Sequence, residues 1–297
     1  MNIKKETVAG VELSHPDKIY YPDVKVTKRD LAEYYHQNIK WILPHIINRP
    51  IAIVRCPEGM TKECFYQKHV ETLPDVLGSV KVQEENVMRE HIVVKNEAGI
   101  IALVQSGALE IHTWGCRADD IEKPDRIIFD LDPSENVKFS KIIECAQVLR
   151  TGLESLNLKS FIKTSGKKGL HVCVPLKRTC TWKQVGDFAQ GLAEHMATIA
   201  PEIYTTTIAK AKRTNKILID YLRNKIMATC VAAFSTRTTP EASLSVTLHW
   251  DELKNLKSAH EFTVLNIDRR LNKIKNDPWE EYFKVKQTLP KKFFDKK

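Results

Sequence analysis

The stretch IIFDLDPSE, residues 127–135, combines a buried strand with two carboxylates and decides the kind of fold this chain adopts. Its apolar residues form a short run typical of a core strand, and Pro133 ends the run. Side chains alternate along a strand, so Asp130 and Asp132 share one face, roughly 6–7 Å apart. Two partly buried carboxylates repel each other, and a hard cation such as Mg²⁺ or Mn²⁺ relieves that repulsion. The alternative is that both aspartates cap the turn or helix that follows.

The composition is that of a globular protein with an affinity for polyanions. The chain has 297 residues, 42% of them hydrophobic and 28% charged, and a formal net charge of +9. That charge indicates a polyanionic partner, most commonly a nucleic acid. An anionic membrane is the rival, but no basic amphipathic helix stands out and no apolar run approaches the roughly 20 residues of a membrane span. The first ten residues lack the apolar core of a signal peptide, so we expect a cytoplasmic protein.

The cysteines argue against a zinc finger and against a disulfide framework. They number seven, are scattered, and include no CxxC pair. We expect most of them to be small buried apolar residues in a reducing compartment, and none to be catalytic.

The first part of the chain alternates helical and strand patterns. Thr27 followed by KRD is typical of a helix start, and helical spacing continues to about Ile42. The patterns of residues 51–55 and 91–95 predict strands, and the pattern of residues 100–111 predicts a helix.

The pattern after residue 127 predicts an α/β layer with a mixed or antiparallel sheet. A helical stripe covers residues 139–158, and a second amphipathic helix is expected over 182–198. Between these helices, the patterns of residues 160–164 and 170–175 predict two strands. The segment SGKKG between them is typical of a hairpin turn. A further apolar strand, residues 216–222, carries a carboxylate inside it, Asp220.

Asp220 completes a candidate two-metal site with Asp130 and Asp132. Such sites hold two ions roughly 3.5–4 Å apart to activate an attacking oxygen and stabilise a leaving phosphate. The competing interpretation is that Asp220 is a buried residue paired with an arginine, for which Arg223 and Arg237 are the candidates.

The SGKKG turn is a candidate phosphate site. It offers backbone N–H groups together with Ser165, Lys167 and Lys168, and His171 follows on the next strand. It is not a Walker A loop, because no GK[ST] pattern opens a helix. By itself the segment is more typical of a solvated hairpin turn than of a phosphate site, and His171 is also typical of a core histidine satisfied by a neighbour.

These motifs together resemble those of a known family. IIFDLDPSE, TSGKKGLHVCVPL and ILIDYLRN are similar, in that order, to the three catalytic motifs of the archaeo-eukaryotic primase superfamily. The resemblance is more specific to the polymerase domains of bacterial ligase D, the end-joining enzyme, and it extends over nearly the whole chain. Further segments resemble those domains in the same order: LSHPDKIYYPD, TKRDLAEYY, RPIAIVRCPEG, FYQKH, GALEIHTW, AAFSTR and SLSVTLHWDEL.

The resemblance implies a role for each matching residue. Asp130, Asp132 and Asp220 would bind the metal ions, usually Mn²⁺, and carry catalysis. The incoming nucleoside triphosphate, a ribonucleotide by preference, would contact Ser165, Lys168, His171, His112, Arg223 and Arg237. DNA with a 5′-phosphorylated gap or break would contact Lys18, Lys28, Arg55, Phe65 and Tyr66, the last two stacking on a template base. The chain departs from the family at Tyr66, which is usually Phe, and near Ile226 and Met227, where Arg or Gly is usual.

The implied fold is a primase-like α/β core with an N-terminal α/β module packed against it. We expect a DNA-end-binding module over 1–115 and a catalytic module over 116–297. The implied function is gap filling and end extension in non-homologous end joining, alongside a ligase and a Ku-type end-binding protein at the nucleoid. We expect no ligase domain within this chain, which is either a stand-alone polymerase or an excised domain; the initiator Met slightly favours the former. Two other functions use the same residues: a metal-dependent nuclease, or a non-catalytic module that binds DNA ends.

Overall fold

The computed structural model describes residues 6–69, 74–290 and 293. The chain divides into two compact units. The first unit comprises residues 1–114, 231–245 and 262–273, and the second comprises residues 115–230, 246–261 and 274–297. Within the part of the chain that the structure describes, no helix is both long and apolar enough to cross a membrane.

The first unit is built on a sheet around the apolar strand β5. Its helices are α1 (Lys28–Gln37), α2 (Ile39–Ile46) and α3 (Glu97–Gln105). Its strands are β1 (Glu6–Val8), β2 (Val11–Leu13), β3 (Ile19–Tyr21), β4 (Val26–Thr27), β5 (Pro50–Arg55), β6 (Phe65–Gln67), β7 (Leu77–Glu84), β8 (Val87–Val94) and β9 (Ala108–Trp114). Strand β9 pairs with one edge of β5, while β8 and β6 pair with its other edge, and β7 forms a hairpin with β8.

The predicted helix start at Thr27 is confirmed. The Thr27 hydroxyl accepts a hydrogen bond from the Asp30 amide at 3.2 Å, and the Asp30 carboxylate accepts one from the Thr27 amide at 2.8 Å. This reciprocal capping box satisfies two amides that the first helical turn leaves without partners. The helical segment is interrupted at Asn38, where α1 ends and α2 begins.

The predicted helix over residues 100–111 is wrong in its second half. Helix α3 ends at Gln105, and residues 108–111 belong to strand β9. Gly107 separates the two elements with a φ of +89°, and a Cβ there would lie 3.0 Å from the Cα of Pro57. Because only glycine accepts that conformation at such close range, the apolar run turns into a strand.

The second unit contains the sheet that carries the IIFDLDPSE strand. Its helices are α4 (Phe139–Ser155) and α5 (Trp182–Ile199). Its strands are β10 (Cys116–Arg117), β11 (Asp120–Pro124), β12 (Arg126–Pro133), β13 (Phe161–Thr164), β14 (Leu170–Pro175), β15 (Tyr204–Thr205) and β16 (Ile217–Asp220). Strand β17 (Thr229–Val231) spans the boundary between the units, β18 (Thr247–Leu248) returns to this unit, and α6 (Ile267–Leu271) belongs to the first.

The spatial order of this sheet is β15, β16, β12, β14, β13, β18. All neighbouring strands run antiparallel except β15 and β16, which run parallel, so the sheet is mixed as predicted. Helices α4 and α5 pack on β12, and their buried residues include Leu149 and Phe188. The apolar half of β12 is therefore core, and its two aspartates lie toward the end of the strand.

The expectation about cysteines needs one correction. Cys56 and Cys64 form a disulfide that closes the connection between β5 and β6. The sequence contains no signal for it, since the β5–β6 turn that brings the two sulfurs together is not evident from their spacing. The remaining cysteines, all within the described ranges, are buried thiols as expected: Cys116, Cys145, Cys173, Cys180 and Cys230.

Candidate active site

Three carboxylates of the second unit are brought together by the pairing of β12 with β16. Asp130 and Asp220 are direct partners in the antiparallel register, and Asp132 lies two residues further along β12 on the same face. The side chains of Asp130 and Asp220 are 18% and 15% exposed, whereas that of Asp132 is 44% exposed. The three residues predicted to bind metal therefore lie together at one end of a pair of core strands.

Arginine side chains neutralise these carboxylates. The Nη2 atom of Arg223 lies 3.2 Å from Oδ2 of Asp130 and 3.4 Å from Oδ2 of Asp220. Arg213 donates to Oδ2 of Asp132 at 3.1 Å. The arginine pairing foreseen as the alternative role for Asp220 is thus present, with Arg223 as the partner.

His171 connects the carboxylates to a buried thiol. It is the β14 partner of Asp130, and its Nε2 lies 3.3 Å from Oδ1 of that carboxylate. Its Nδ1 lies 3.0 Å from the Sγ of Cys230. Burial alone would lower the pKa of His171, but the neighbouring Cys230 and Asp130 raise it. In turn His171 and Lys163, opposing the effect of burial, lower the pKa of the Cys230 thiol to about 6.

The two β12 carboxylates have opposite pKa shifts. Burial would raise the pKa of Asp130, yet the positive charges of His171 and Arg223 hold it well below its usual range. Burial, and second the charge of Asp130, raise the pKa of Asp132 in spite of Arg213. Asp130 is therefore an anion at neutral pH, and the positive charge of Arg213 offsets part of the rise in the pKa of Asp132.

The SGKKG turn is a hydrogen-bonded loop that lies against β12. The hydroxyl of Ser165 accepts hydrogen bonds from the amides of Lys167 at 3.2 Å and Gly169 at 3.0 Å. A Cβ on Gly169 would lie 2.0 Å from the carbonyl oxygen of Leu131, so only glycine allows this close approach. Ser165 thus shapes the loop, while the side chain of Lys168 is exposed.

An open cavity of about 570 Å³ lies beside Asp132. Its lining includes three positive side chains, those of Lys168, Lys210 and Arg213. A cavity with a carboxylate at one side and cations around it can accept a metal-bound polyphosphate. Of the cations, only Lys168 was a sequence-predicted site residue, because the KAKRTNK segment, residues 210–216, carries no motif.

His112 and Arg237 meet at a buried glutamate in the first unit. The Oε2 atom of Glu110 lies 2.8 Å from Nε2 of His112 and 3.4 Å from Nη2 of Arg237. Its other oxygen accepts hydrogen bonds from the amide of Thr238 at 2.8 Å and its hydroxyl at 2.6 Å. The ring of Tyr66 packs edge-on against His112, with centroids 5.7 Å apart. Three predicted site residues are therefore adjacent, around a glutamate that sequence reasoning missed.

Strand β6 carries Phe65 and Tyr66, the two aromatic residues predicted to stack on a template base, and it pairs with β5. Arg55 is the β5 partner of Phe65, and its guanidinium lies 5.9 Å from the centre of that ring. The Phe65 and Tyr66 residues are 42% and 46% exposed, so both rings are accessible. An open cavity of about 940 Å³ borders Arg55 and Phe65.

Lys18 and Lys28 lie close together near the start of α1. The amide of Lys28 donates to the carbonyl of Lys18 at 2.8 Å. The Nζ of Lys18 contacts Glu58 at 2.9 Å, and that of Lys28 donates to the carbonyl of Ser14 at 2.7 Å. The two ammonium groups are near enough for Lys18 to contribute to lowering the pKa of Lys28.

A side chain missed by sequence reasoning holds the Arg223 turn in place. The side-chain amide of Asn224 bonds to both backbone groups of Ile128, accepting from the N–H at 2.8 Å and donating to the carbonyl at 2.7 Å. Asn224 thereby attaches the turn after β16 to β12, which positions Arg223 over the carboxylates.

The comparisons with known proteins agree with one another on the family that this chain resembles. The family described as "LigD, primase-polymerase domain" matches residues 27–279. The multifunctional non-homologous end joining protein LigD of Pseudomonas aeruginosa is 34% identical over 289 residues, which is 96% of this chain and 34% of that protein. The LigD of Mycolicibacterium smegmatis is 28% identical over 272 residues, or 91% of this chain and 35% of that protein. The chain thus spans about a third of the length of these relatives.

A solved structure agrees with both the fold and the sequence matches. It is the polymerase domain of Mycobacterium tuberculosis ligase D in complex with DNA, with a TM-score of 0.84 and 26% identity. The match covers 91% of this chain and 97% of the solved one. The resemblance seen in the sequence, the α/β fold and the polymerase-type nucleotidyltransferase class are therefore confirmed. The chain belongs to the LigD primase-polymerase domain family.

Proposed function

We propose that this chain is a metal-dependent primase-polymerase of DNA double-strand break repair, which adds nucleotides to a primer 3′-OH in gap filling and end extension. The observation that carries the proposal is the β12–β16 register, which puts Asp130 opposite Asp220 and leaves Asp132 on the same face. The end-joining names of the relatives support the repair context. DNA-end binding in residues 1–115 and catalysis in residues 116–297 are part of the same proposal.

Asp130, Asp132 and Asp220 would hold the metal ions. Their donors are all carboxylate oxygens, which suit Mn²⁺ or Mg²⁺. The three clustered carboxylates need positive charge beside them, because Arg223 and Arg213 already pair with all three. Metal ions would supply that charge. Bound divalent cations would stabilise charge on the transferring phosphate and favour ionisation of the attacking hydroxyl.

The chain's own residues would orient the nucleotide. Lys168, with Lys210 and Arg213, lines the cavity next to Asp132 and would hold the triphosphate. Ser165 would keep the loop against β12, and His171 would keep Asp130 ionised. Arg223 would transfer from the carboxylates to a phosphate when metal neutralises them.

His112 and Arg237 are the remaining proposed nucleotide contacts. Their common partner Glu110 supports treating them as one group, and His112 would contact the sugar and base. A preference for ribonucleotides is part of this proposal. If the proposal is right, ATP is incorporated more readily than dATP on the same substrate.

The DNA contacts would come from two places in the first unit. Lys18 and Lys28 would bind a 5′-phosphate. The exposed rings of Phe65 and Tyr66, with Arg55 beside them, would stack on a template base. A ligase, a Ku-type end-binding protein and a cytoplasmic, nucleoid-associated location complete the proposal.

One assay separates this function from its two rivals. The protein is incubated with a gapped duplex bearing a 5′-phosphate, Mn²⁺ and labelled ATP. Labelled, lengthened primer supports the polymerase, while shortened strands indicate a nuclease. A gel shift with unchanged strands indicates a module that only binds DNA ends, and either of these last two results would overturn the proposal.

A further inference from the structure

We propose that His69, Glu84 and His91 form a separate metal site that binds Zn²⁺ or a similar transition-metal ion. All three residues belong to the first unit, whereas the catalytic aspartates belong to the second. The proposal therefore rests on different residues and is independent of the polymerase function.

The three side chains converge on one point. His69 and His91 are partners in an antiparallel backbone bridge, so their rings project side by side, with centroids 4.6 Å apart. Oε1 of Glu84, at the end of β7, lies 3.3 Å from Nε2 of His69 and 2.7 Å from Nε2 of His91. One ligand atom from each residue lies within 4.8 Å of the others. A tetrahedral zinc ion separates its ligand atoms by roughly 3.3 Å, so small side-chain movements complete the site.

His69 is oriented as metal-binding histidines are, and His91 is fixed by burial. Nδ1 of His69 lies 3.4 Å from the carbonyl oxygen of Glu90, which can accept a hydrogen bond from it and leave the Nε2 lone pair facing Glu84. His91 has a side chain only 1% exposed, and within the described residues its Nδ1 has no hydrogen-bond partner. The sole hydrogen-bonded atom of this buried ring thus points at Glu84 and the proposed ion.

The donor set selects the type of ion. Two imidazole nitrogens and one carboxylate oxygen match zinc sites with three protein ligands and an open fourth position. Mg²⁺ and Mn²⁺ prefer oxygen ligands, so the two proposed sites of this chain should differ in metal preference.

The ion would hold the segment after β6 against the β7–β8 hairpin. His69 follows β6 by two residues, whereas Glu84 and His91 belong to β7 and β8. His69 also lines the 940 Å³ cavity that borders Phe65. A metal at this position would therefore brace the strand that presents Phe65 and Tyr66.

The test measures zinc content in a background that lacks two of the three proposed catalytic carboxylates. The protein carrying Asp130→Asn and Asp132→Asn is equilibrated with ZnSO₄, freed of excess metal on a desalting column, and analysed by mass spectrometry for zinc per chain. We expect about one zinc ion, and about none after adding His69→Ala or Glu84→Gln. Circular dichroism on each variant verifies that it is folded, and both substituted side chains are only partly buried.

The matched control is His36→Ala. His36 pairs with Glu97 in the same unit but is not among the described groups that bring three metal-binding side chains together, so this variant should keep its zinc. A second readout is Co²⁺, whose visible absorption reports tetrahedral coordination and should disappear with His69→Ala. Absence of zinc from the background protein, or full zinc content in either site variant, would overturn the proposal.

Discussion

The ammonium of Lys28 is buried beneath the start of α1, against the carbonyl oxygen of Ser14 and the side chain of Gln105. Burial and the nearby charge of Lys18 lower its pKa to about 8. The ammonium is therefore fully charged only well below pH 8, and its charge is lost as the pH rises through that value. A terminal 5′-phosphate keeps its second negative charge as the pH rises through this value, so only the charge of Lys28 changes.

We predict that discrimination for a 5′-phosphate weakens above pH 8. Affinity for the phosphorylated gapped duplex should fall by up to about tenfold per pH unit, because binding requires one proton that the free protein has lost. Affinity for the unphosphorylated duplex should change less. Fluorescence anisotropy at fixed salt between pH 7 and 9.5 measures both, and Lys28→Arg, which stays charged, should keep its preference at pH 9. A preference in the wild type that is constant over this range would show that Lys28 does not read the phosphate.

Glu110 offers a second test at the scale of a residue. Glu110→Gln keeps the shape of the side chain but removes the charge that pairs with His112 and Arg237. Because two proposed nucleotide contacts lose their common anchor, we expect the KM for ATP to rise by about tenfold, with kcat changing less. Steady-state extension kinetics and DNA anisotropy on the same variant separate nucleotide from DNA effects.

The control for this variant is Glu97→Gln. Glu97 also pairs with a histidine of the first unit, His36, which has no proposed role in catalysis. An unchanged KM for ATP in Glu110→Gln, or an equal rise in both variants, would contradict the assignment of His112 and Arg237.

At the scale of an element, the SGKKG hairpin depends on its contact with β12. Gly169→Ala puts a Cβ 2.0 Å from the carbonyl oxygen of Leu131, so the loop must move away from the strand. We expect a loss of about 1–3 kcal/mol in the free energy of unfolding, together with loss of nucleotide addition. Urea denaturation measures the stability change.

Gly152→Ala is the matched control for this substitution. Gly152 lies inside α4, where a Cβ would meet only Leu192 at 3.8 Å. That change should stabilise the protein by about 0.5–1 kcal/mol, as alanine does in helix interiors. If Gly169→Ala proves as stable and active as Gly152→Ala, the loop does not need its contact with Leu131.

Elements with a clear period and a clear end could be predicted from the sequence. The β12 strand, the 160–175 hairpin and helices α4 and α5 lie where their patterns indicate, within a few residues. The helix prediction for residues 100–111 was wrong in its second half because the apolar residues continue across Gly107, where the period changes from helical to strand. A single glycine in an apolar run does not reveal whether it ends a helix or is accommodated within one.

At the scale of the whole molecule, what sequence reasoning missed are partners distant in the chain. Glu110 contacts Thr238, which is 128 residues away, and Arg213 contacts Asp132 across 81 residues. Such contacts depend on how strands and turns pair, which local patterns do not encode. The three aspartates could be predicted to lie together because each belongs to an apolar strand, where a carboxylate is unusual enough to need a reason.

The most direct test of the account is nucleotide addition by Asp130→Asn/Asp132→Asn compared with wild type. The amides keep the shape of the side chains but remove the charges that would bind metal, while the proposed DNA contacts belong to the other unit. On a gapped, 5′-phosphorylated duplex with Mn²⁺ and labelled ATP, we predict at least about a thousandfold loss of incorporation rate, with DNA affinity within about twofold of wild type. Asp187→Asn, an exposed carboxylate on α5 paired with Lys183, should extend the primer as wild type does. Primer extension by the double variant at a rate near that of wild type would contradict the central claim that these carboxylates form the catalytic metal site.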